Sequence, residues 1–213
     1  MQPEIICLGE GLIDITPRVS GTNILTSGEM LMTASGAPAI VAVALARLGT
    51  KAGFLGRVGA DFFGYHIKAV LDKNGVDTRH LSLDPHAKTG LAFVNWYERG
   101  DAIYLFYRNP SADTLLAVEN IDPGYISGAR VLQFGSLLLA TEPSKQASYR
   151  ALNIAQAAGI LLSYDLNLRL GAWENEAVAR QGVSAPLEVA NILKINRAEL
   201  AFLSGETDPQ AGT

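Results

Sequence analysis

The chain has 213 residues, of which 48% are hydrophobic and 18% are charged, with a formal net charge of −4. This composition suits a globular protein, excludes a disordered chain and gives no reason to expect nucleic acid as a partner. No apolar run approaches the ~20 residues of a membrane helix, and no membrane partner is expected. The single cysteine, Cys7, favours a reducing, cytoplasmic location, and the three histidines lack the spacing of metal ligands.

The first predicted element is a buried strand at Ile5–Leu8, a short apolar run typical of parallel sheets. The residues after it (GEGLID, 9–14) come close to the glycine fingerprint of dinucleotide-binding proteins. Asp14 replaces the third glycine, and residues 15–17 favour an extended chain over a helix, so a nucleotide-binding oxidoreductase is disfavoured. Asp14 either closes a turn or accepts hydrogen bonds from two hydroxyl groups of a ligand.

The next segment predicts a ligand-binding loop that leads into a helix. Residues 18–33 are polar and lack helical periodicity, which predicts irregular structure or a small strand. Gly36 permits an unusual backbone conformation, Pro38 suits the first position of a helix, and Gly49 ends the apolar helical pattern. The start of this helix is expected to present backbone N–H groups to a polar ligand. The elements predicted after it are a strand at 51–55, a tight turn at 56–59 and a helix at 62–74.

Two runs in this part, SGAPAIVAVALARLG (35–49) and GRVGADFFG (56–64), together resemble the first signature of the ribokinase-like (PfkB) carbohydrate kinases. The usual form of that signature begins Gly-Gly and has Asn at its sixth position. This chain has Ser35 and Ile40 at those two places. Because Ile offers neither a hydrogen-bond donor nor an acceptor, the second departure predicts an altered choice of sugar.

Two segments rich in aromatic and β-branched residues, 89–97 and 102–108, flank the turn sequence ERGD and predict a β-hairpin. A hairpin in an otherwise alternating chain of strands and helices predicts a small sheet set apart from the main one. The resemblance implies that this sheet is a lid over the sugar, with lid segments near 15–33 and 89–108. A homodimer formed through the lid is also expected.

The run FYRNPSAD (106–113), together with residues 9–14 and 36–39, is most similar to the fructokinase branch of the family. Arg108 either forms an ordinary surface salt bridge or holds a sugar oxygen or the moving phosphoryl group. The residues that the resemblance assigns to the substrate are Asp14, Gly36, Ala37, Arg108 and Arg169.

Strands are predicted at 129–134 and 160–164, and the second is followed by DLNLR (165–169). In an extended chain the three polar side chains Asp165, Asn167 and Arg169 share one face, at the end of the sheet where α/β proteins bind ligands. This run resembles the Asp-x-Asn-x-Arg element of the family, which faces the phosphates and the sugar.

A helix is predicted over 174–189, broken near Pro186, and a strand over 191–195. Asn196 and Glu199 match the family's Asn-x-x-Glu element, although the same spacing is typical of a helix capping box. The residues that the resemblance assigns to the phosphate and magnesium side are Asn167, Lys194, Asn196 and Glu199.

The catalytic base of the family is the Asp of a Gly-Ala-Gly-Asp run, which these 213 residues do not contain. The resemblance therefore implies an incomplete kinase domain over 1–213, with its C-terminal part absent, no catalytic residue of its own and no direct metal ligand.

We expect a three-layer α/β ribokinase-like fold with a mainly parallel central sheet and a small β lid. The implied activity is ATP-dependent phosphorylation of a sugar hydroxyl, most like fructose to fructose 6-phosphate, with Mg²⁺ and ATP. The chain alone is expected to be inactive, and a non-catalytic sugar-binding or vestigial protein is the alternative.

Overall fold

The computed structural model describes residues 2–19, 21–96, 102–206 and 208. The strands in these residues are β1 (Ile5–Leu8), β2 (Leu12–Pro17), β3 (Met30–Ser35), β4 (Ala52–Gly59), β5 (Leu81–Asp84), β6 (Gly90–Trp96), β7 (Ala102–Tyr107), β8 (Val131–Gly135), β9 (Leu161–Asp165) and β10 (Ile192–Lys194). The α-helices are α1 (Ala37–Arg47), α2 (Phe62–Lys73), α3 (Pro123–Ser127), α4 (Ser144–Ala157), α5 (Glu176–Ser184) and α6 (Arg197–Ser204). Short 3₁₀ helices lie at Asp113–Leu115, Val118–Asn120, Leu137–Leu139, Leu170–Ala172 and Ala185–Glu188.

The central sheet has six strands in the order β10-β9-β8-β1-β4-β5, and the strand pairs along it are parallel. Strand β1 lies inside it and is covered on both faces. Its residues Ile6 and Leu8 belong to an apolar cluster that includes side chains of α4 and α5, whereas Cys7 belongs to a second cluster that includes side chains of α1 and α2. Alternation along one strand therefore separates two apolar clusters. The predicted three-layer α/β fold with a mainly parallel sheet is confirmed, as is the buried position of Cys7.

A second sheet has four strands in the order β3-β2-β6-β7. Strands β6 and β7 pair antiparallel, which confirms the predicted hairpin, although its turn at 97–101 lies outside the described residues. Strand β2 pairs parallel to β6 and antiparallel to β3. This small sheet thus draws on both segments in which a lid was expected.

The two faces of the small sheet differ in character. One cross-strand row contains Asp14, Ala92 and Phe106, and this inner face looks toward the carboxyl ends of the central strands. The adjacent row contains Met32, Ile15, Phe93 and Leu105 and lies on the outer face. A period of two along each strand thus places Asp14 on the cavity side and its neighbour Ile15 on the opposite side.

The predicted tight turn at 56–59 is wrong, because β4 continues through these residues and pairs with β5. Strand β5 was not predicted. Glycine at position 56 serves close packing: an added Cβ would lie 2.5 Å from the carbonyl oxygen of Gly9 and 2.8 Å from the ring of Phe54. Sequence alone presents glycine as a turn residue, whereas here it lets two segments of the sheet approach.

The predicted helix over 174–189 is shorter in the structure. Helix α5 begins at Glu176, where Asn175 caps it by accepting a hydrogen bond from Val178 N–H at 3.0 Å. After Ser184 the chain continues as a 3₁₀ turn that contains Pro186, since proline interrupts the α-helical hydrogen bonds. In the part of the chain that the structure describes, the helices are too short or too polar to cross a membrane.

We predict that Gly56→Ala lowers the free energy of unfolding by about 1–3 kcal/mol, because the added methyl group overpacks a rigid part of the sheet. Chemical denaturation followed by circular dichroism measures the change. Gly28→Ala is the matched control, since no atom lies within 4 Å of its added Cβ, and its effect should stay within about 0.5 kcal/mol. Equal stability of the two variants would contradict the close packing of Gly56 against Gly9 and Phe54.

Candidate functional site

A cavity of about 400 Å³ lies between the inner face of the small sheet, the start of α1 and the carboxyl end of β9. It occupies the edge of the central sheet at which open α/β proteins bind ligands. Its lining includes six of the residues predicted for the site: Asp14, Gly36, Ala37, Asn167, Arg169 and Lys194. The structure therefore brings together residues that are up to 180 positions apart in the sequence.

Asp14 lies on the inner face of β2, where its Oδ2 accepts a hydrogen bond from Ser35 Oγ at 2.7 Å. Burial raises the pKa of Asp14, while the bond from Ser35 and the positive charge of Arg169 act in the opposite direction. Ser35, one of the two departures from the usual signature, thus orients this carboxylate. Ile40, the other departure, also lines the cavity, and its side chain is 55% exposed.

The loop of Gly36 and Ala37 enters α1 with Gly36 at φ 107°, a conformation that favours glycine. An added Cβ on Gly36 would lie only 2.2 Å from the carbonyl oxygen of Glu10. The N–H of Ala37 donates a hydrogen bond to Oε1 of Glu10 at 3.1 Å, so this predicted ligand-binding amide already has a partner. Glu10, which also lines the cavity, was missed as a site residue. Its position two residues after the end of β1, at the ligand-binding edge of the sheet, is the sequence feature that points to it.

The extended conformation predicted for residues 165–169 is wrong, because Asn167 has φ 39° and the chain turns there. Two hydrogen bonds from backbone N–H groups hold the turn: Leu166 N–H donates to the Lys194 carbonyl at 3.0 Å, and Leu168 N–H donates to the side-chain Oε1 of Glu199 at 2.8 Å. Asp165, Asn167 and Arg169 nevertheless all line the cavity. Their convergence comes from the turn and from these tertiary bonds.

Positive charge lies at the end of the cavity near β9 and β10. The guanidinium of Arg169 stacks 4.6 Å from the ring centre of Tyr104, on the inner face of β7. Lys194 Nζ donates to Asp165 Oδ2 at 3.2 Å across the two strands. Both cations are therefore held in place by groups of the fold and border a space that can accept an anionic group.

Asn196 and Glu199 lie beside this cavity, in a groove of about 380 Å³ that shares Tyr104, Phe106 and Arg169 with it. They form a capping box at the start of α6: Asn196 Oδ1 accepts from Glu199 N–H at 2.9 Å, and Glu199 Oε2 accepts from Asn196 N–H at 2.8 Å. Both oxygens of Glu199 are thus engaged by backbone N–H groups. Across the described ranges, no group of three His, Cys, Asp or Glu residues is arranged to hold a metal ion.

Arg108 is placed apart from Asp14. It is 8% exposed and lines a separate cavity of about 590 Å³, which shares only Phe106 with the cavity around Asp14. Its Nε donates to Asp113 Oδ2 at 2.8 Å, its Nη2 donates to the same oxygen, and Ser111 Oγ donates to Asp113 Oδ1 at 2.5 Å. The pair is buried, so the interpretation of Arg108 as forming an ordinary surface salt bridge is wrong.

Comparison with known proteins gives one family match, to the pfkB family carbohydrate kinases over residues 2–212. "Probable fructokinase-6, chloroplastic" of Arabidopsis thaliana is 42% identical over 207 residues, which are 97% of this chain and 54% of that protein. The chain thus spans about half the length of this curated relative.

Solved structures agree with the sequence comparison. A PfkB protein from Polaromonas sp. JS666 superposes with a TM-score of 0.89 at 26% identity. The superposition covers 99% of this chain and 71% of the Polaromonas protein. The fructokinase from Vibrio cholerae was solved with fructose, ADP and calcium ion bound. It superposes with a TM-score of 0.86 at 31% identity, and the superposition covers 98% of this chain and 65% of the Vibrio protein.

We predict that Arg108→Ala lowers the free energy of unfolding by about 3–5 kcal/mol, because Asp113 would be left as a buried carboxylate without its cation. Lys68→Ala is the control, since it removes the partly exposed pair with Asp72 and should cost less than about 1 kcal/mol. Denaturant unfolding of both variants measures the difference. A loss below about 1 kcal/mol for Arg108→Ala would contradict a structural role for the pair.

Proposed function

The chain belongs to the pfkB family of carbohydrate kinases, and from this premise we propose that it serves the ATP-dependent phosphorylation of a sugar hydroxyl, with fructose as the sugar. The chain spans 54–62% of the plant fructokinases that it matches, so the proposal concerns the activity of the whole enzyme. The fructose and ADP bound in the similar Vibrio cholerae enzyme support this choice of substrates.

The observation that carries the proposal is the division of one cavity into a carboxylate side and a cationic side. Asp14 and the loop of Gly36 and Ala37 border it near α1, whereas Arg169 and Lys194 border it near β9 and β10. A carboxylate with free acceptor positions binds neighbouring hydroxyls of a polyol. Fixed cations stabilise the charge of a phosphoryl group during its transfer. Both groups of residues are needed for a sugar kinase, and a pure sugar-binding protein has no use for the second.

ATP enters this proposal as a co-substrate that carries Mg²⁺. Asn167 borders the cavity at its cationic end, and Asn196 and Glu199 shape the adjoining groove. Because both Glu199 oxygens accept backbone N–H groups, we assign it the positioning of residues 167–169 and not direct coordination of the metal. Arg108 is assigned to the substrate through the second cavity, beside the shared ring of Phe106.

Phosphoryl transfer also requires a base for the attacking hydroxyl. The run that would supply it in this family, Gly-Ala-Gly-Asp, is not found in the 213 residues. We therefore propose that residues 1–213 bind the sugar and complete no transfer by themselves. A non-catalytic sugar-binding protein is the second candidate, and the described sugar side of the cavity supports it equally.

We predict that Asp14→Asn raises the Kd for fructose about 10- to 100-fold, because hydrogen bonds to charged groups contribute about 1.5–3 kcal/mol. Calorimetry on residues 1–213 measures binding, and release of ADP by the complete gene product measures transfer. Asp72→Asn, on the exposed side of α2, is the matched control and should leave both unchanged. Phosphorylation by the complete product supports the kinase, binding without phosphorylation supports the second candidate, and failure to bind fructose would refute both.

We further propose that two copies of the chain associate through the outer face of the small sheet. Part of this face carries exposed apolar side chains: Met32 is 60%, Leu105 58% and Tyr107 61% exposed. Phe93 lies beside Leu105 and Tyr107 on the neighbouring strand. A contiguous exposed apolar surface favours contact with another protein, and two identical faces can meet around a twofold axis.

Leu105→Asp is predicted to shift the protein from dimer to monomer, because it places a charge in the middle of this outer face. Sedimentation velocity at several protein concentrations gives the oligomeric state. Leu170→Asp is the control, as Leu170 is a comparably exposed leucine outside the small sheet. A wild-type protein that is monomeric at all concentrations, or a dimer that survives Leu105→Asp, would rule out association through this face.

A cytoplasmic location completes the proposal. Cys7, the only cysteine of the chain, is buried as a free thiol, which is compatible with a reducing compartment. The Arabidopsis relative is named as chloroplastic, so fractionation of the source cells is the appropriate measurement. Recovery of the protein in an organelle would contradict the assignment.

A further inference from the structure

Glu10 is a buried acidic residue to which neither the family resemblance nor the proposed function gives a role. It follows β1, it is only 3% exposed, and it lines the cavity that contains Asp14. A buried charged residue that has no ionic partner needs a compensating interaction. Its surroundings therefore indicate what it does.

One oxygen of Glu10 holds the loop at the start of α1. Oε1 accepts the hydrogen bond from Ala37 N–H at 3.1 Å, and Ala37 is the first residue of the helix. Backbone packing reinforces this contact: Gly36 lies so close to the Glu10 carbonyl that an added Cβ would be 2.2 Å away, and a Cβ on Gly9 would be 2.2 Å from Pro38. The segment after β1 and the loop before α1 are therefore packed closely together and joined by a hydrogen bond.

The other oxygen, Oε2, is buried and has no hydrogen-bond partner among the described residues. Burial raises the pKa of Glu10 to about 7, while the hydrogen bonds and the charge of Arg108 lower it and the charge of Asp113 raises it. The other charged groups that line the cavity are Asp14, Asp165, Arg169 and Lys194. An ionised carboxylate is a stronger acceptor than a neutral carboxyl group, so ionisation strengthens the bond from Ala37.

We propose that Glu10 is a positioning residue whose buried carboxylate holds the Ala37 amide, and with it the loop of Gly36 and Ala37, in the conformation that receives the sugar. This inference rests on the proposed function, since it assigns a role at the same cavity. Glu10 contacts the loop and acts on the sugar through it. Only the ionised form holds the loop fully, so sugar affinity should increase with pH near neutrality.

The hydrogen bond itself can be tested without a sugar. In an amide NMR titration of the wild-type protein between pH 5.5 and 8.5, the Ala37 resonance should shift with a midpoint near pH 7. Glu10→Gln keeps an acceptor oxygen and removes the ionisation, so the shift should disappear. Glu119→Gln, an exposed glutamate in a 3₁₀ helix, is the matched control and should retain it. An Ala37 resonance that does not move in the wild type would overturn the proposal even if Glu10→Gln failed to fold.

The consequence for the ligand is tested by the Kd for fructose at pH 6 and pH 8. If only the ionised form is competent, its population changes from about one tenth to about nine tenths, and wild-type affinity rises up to about tenfold. For each protein we take the ratio of the Kd at pH 6 to the Kd at pH 8. Asp14 contributes to this ratio in both proteins, so the effect of Glu10 is the wild-type ratio divided by the ratio for Glu10→Gln. Equal ratios in the two proteins would overturn the role of Glu10 and leave the proposed function standing. Fructose binding at neither pH in either protein would instead overturn the proposed function.

Discussion

The close approach of the chain after β1 to the start of α1 is the contact on which the rest of the structure depends. Gly9 leaves room for the ring of Pro38, and Gly36 leaves room for the carbonyl of Glu10. These glycines lack the Cβ that would force the segments apart, so the start of α1 packs against the chain that follows β1. The same contact places the Ala37 amide on the Glu10 carboxyl group and sets one wall of the cavity.

A second set of contacts fixes the opposite wall. Leu166 is fully buried and its N–H bonds to β10, while Glu199 links the start of α6 to Leu168. The turn at Asn167 is therefore held from both sides, and Arg169 leaves it in the direction of the Tyr104 ring. Each cation of the cavity has a partner in the fold, the Tyr104 ring for Arg169 and the Asp165 carboxylate for Lys194. In the proposed function, cations fixed in this way would need little reorganisation when charge develops on a transferred phosphoryl group.

Local sequence patterns predicted the elements whose residues face a uniform environment. The apolar run of β1, the helical spacing between Pro38 and Gly49, and the aromatic and β-branched residues of the hairpin strands each predicted one element. Patterns failed where a distant segment determines the conformation. The sequence around Gly56 predicts a turn, whereas in the structure the glycine is needed because the Gly9 carbonyl and the Phe54 ring lie beside it. The family resemblance singled out Arg108, but its buried pairing with Asp113 depends on side-chain packing that spacing does not reveal.

Adjacent residues of the small sheet lie on opposite faces and have different surroundings. Asp14 and Ile15 are adjacent in β2, yet Asp14 borders the cavity and Ile15 lies in the apolar outer row with Phe93. A slip of one residue in strand pairing would exchange the two faces and place the carboxylate among apolar side chains. The pairing register thus determines the composition of both faces of the small sheet at once. Substitutions on one face would therefore test the proposed ligand binding or the proposed association separately, whereas a change in register would disturb both faces.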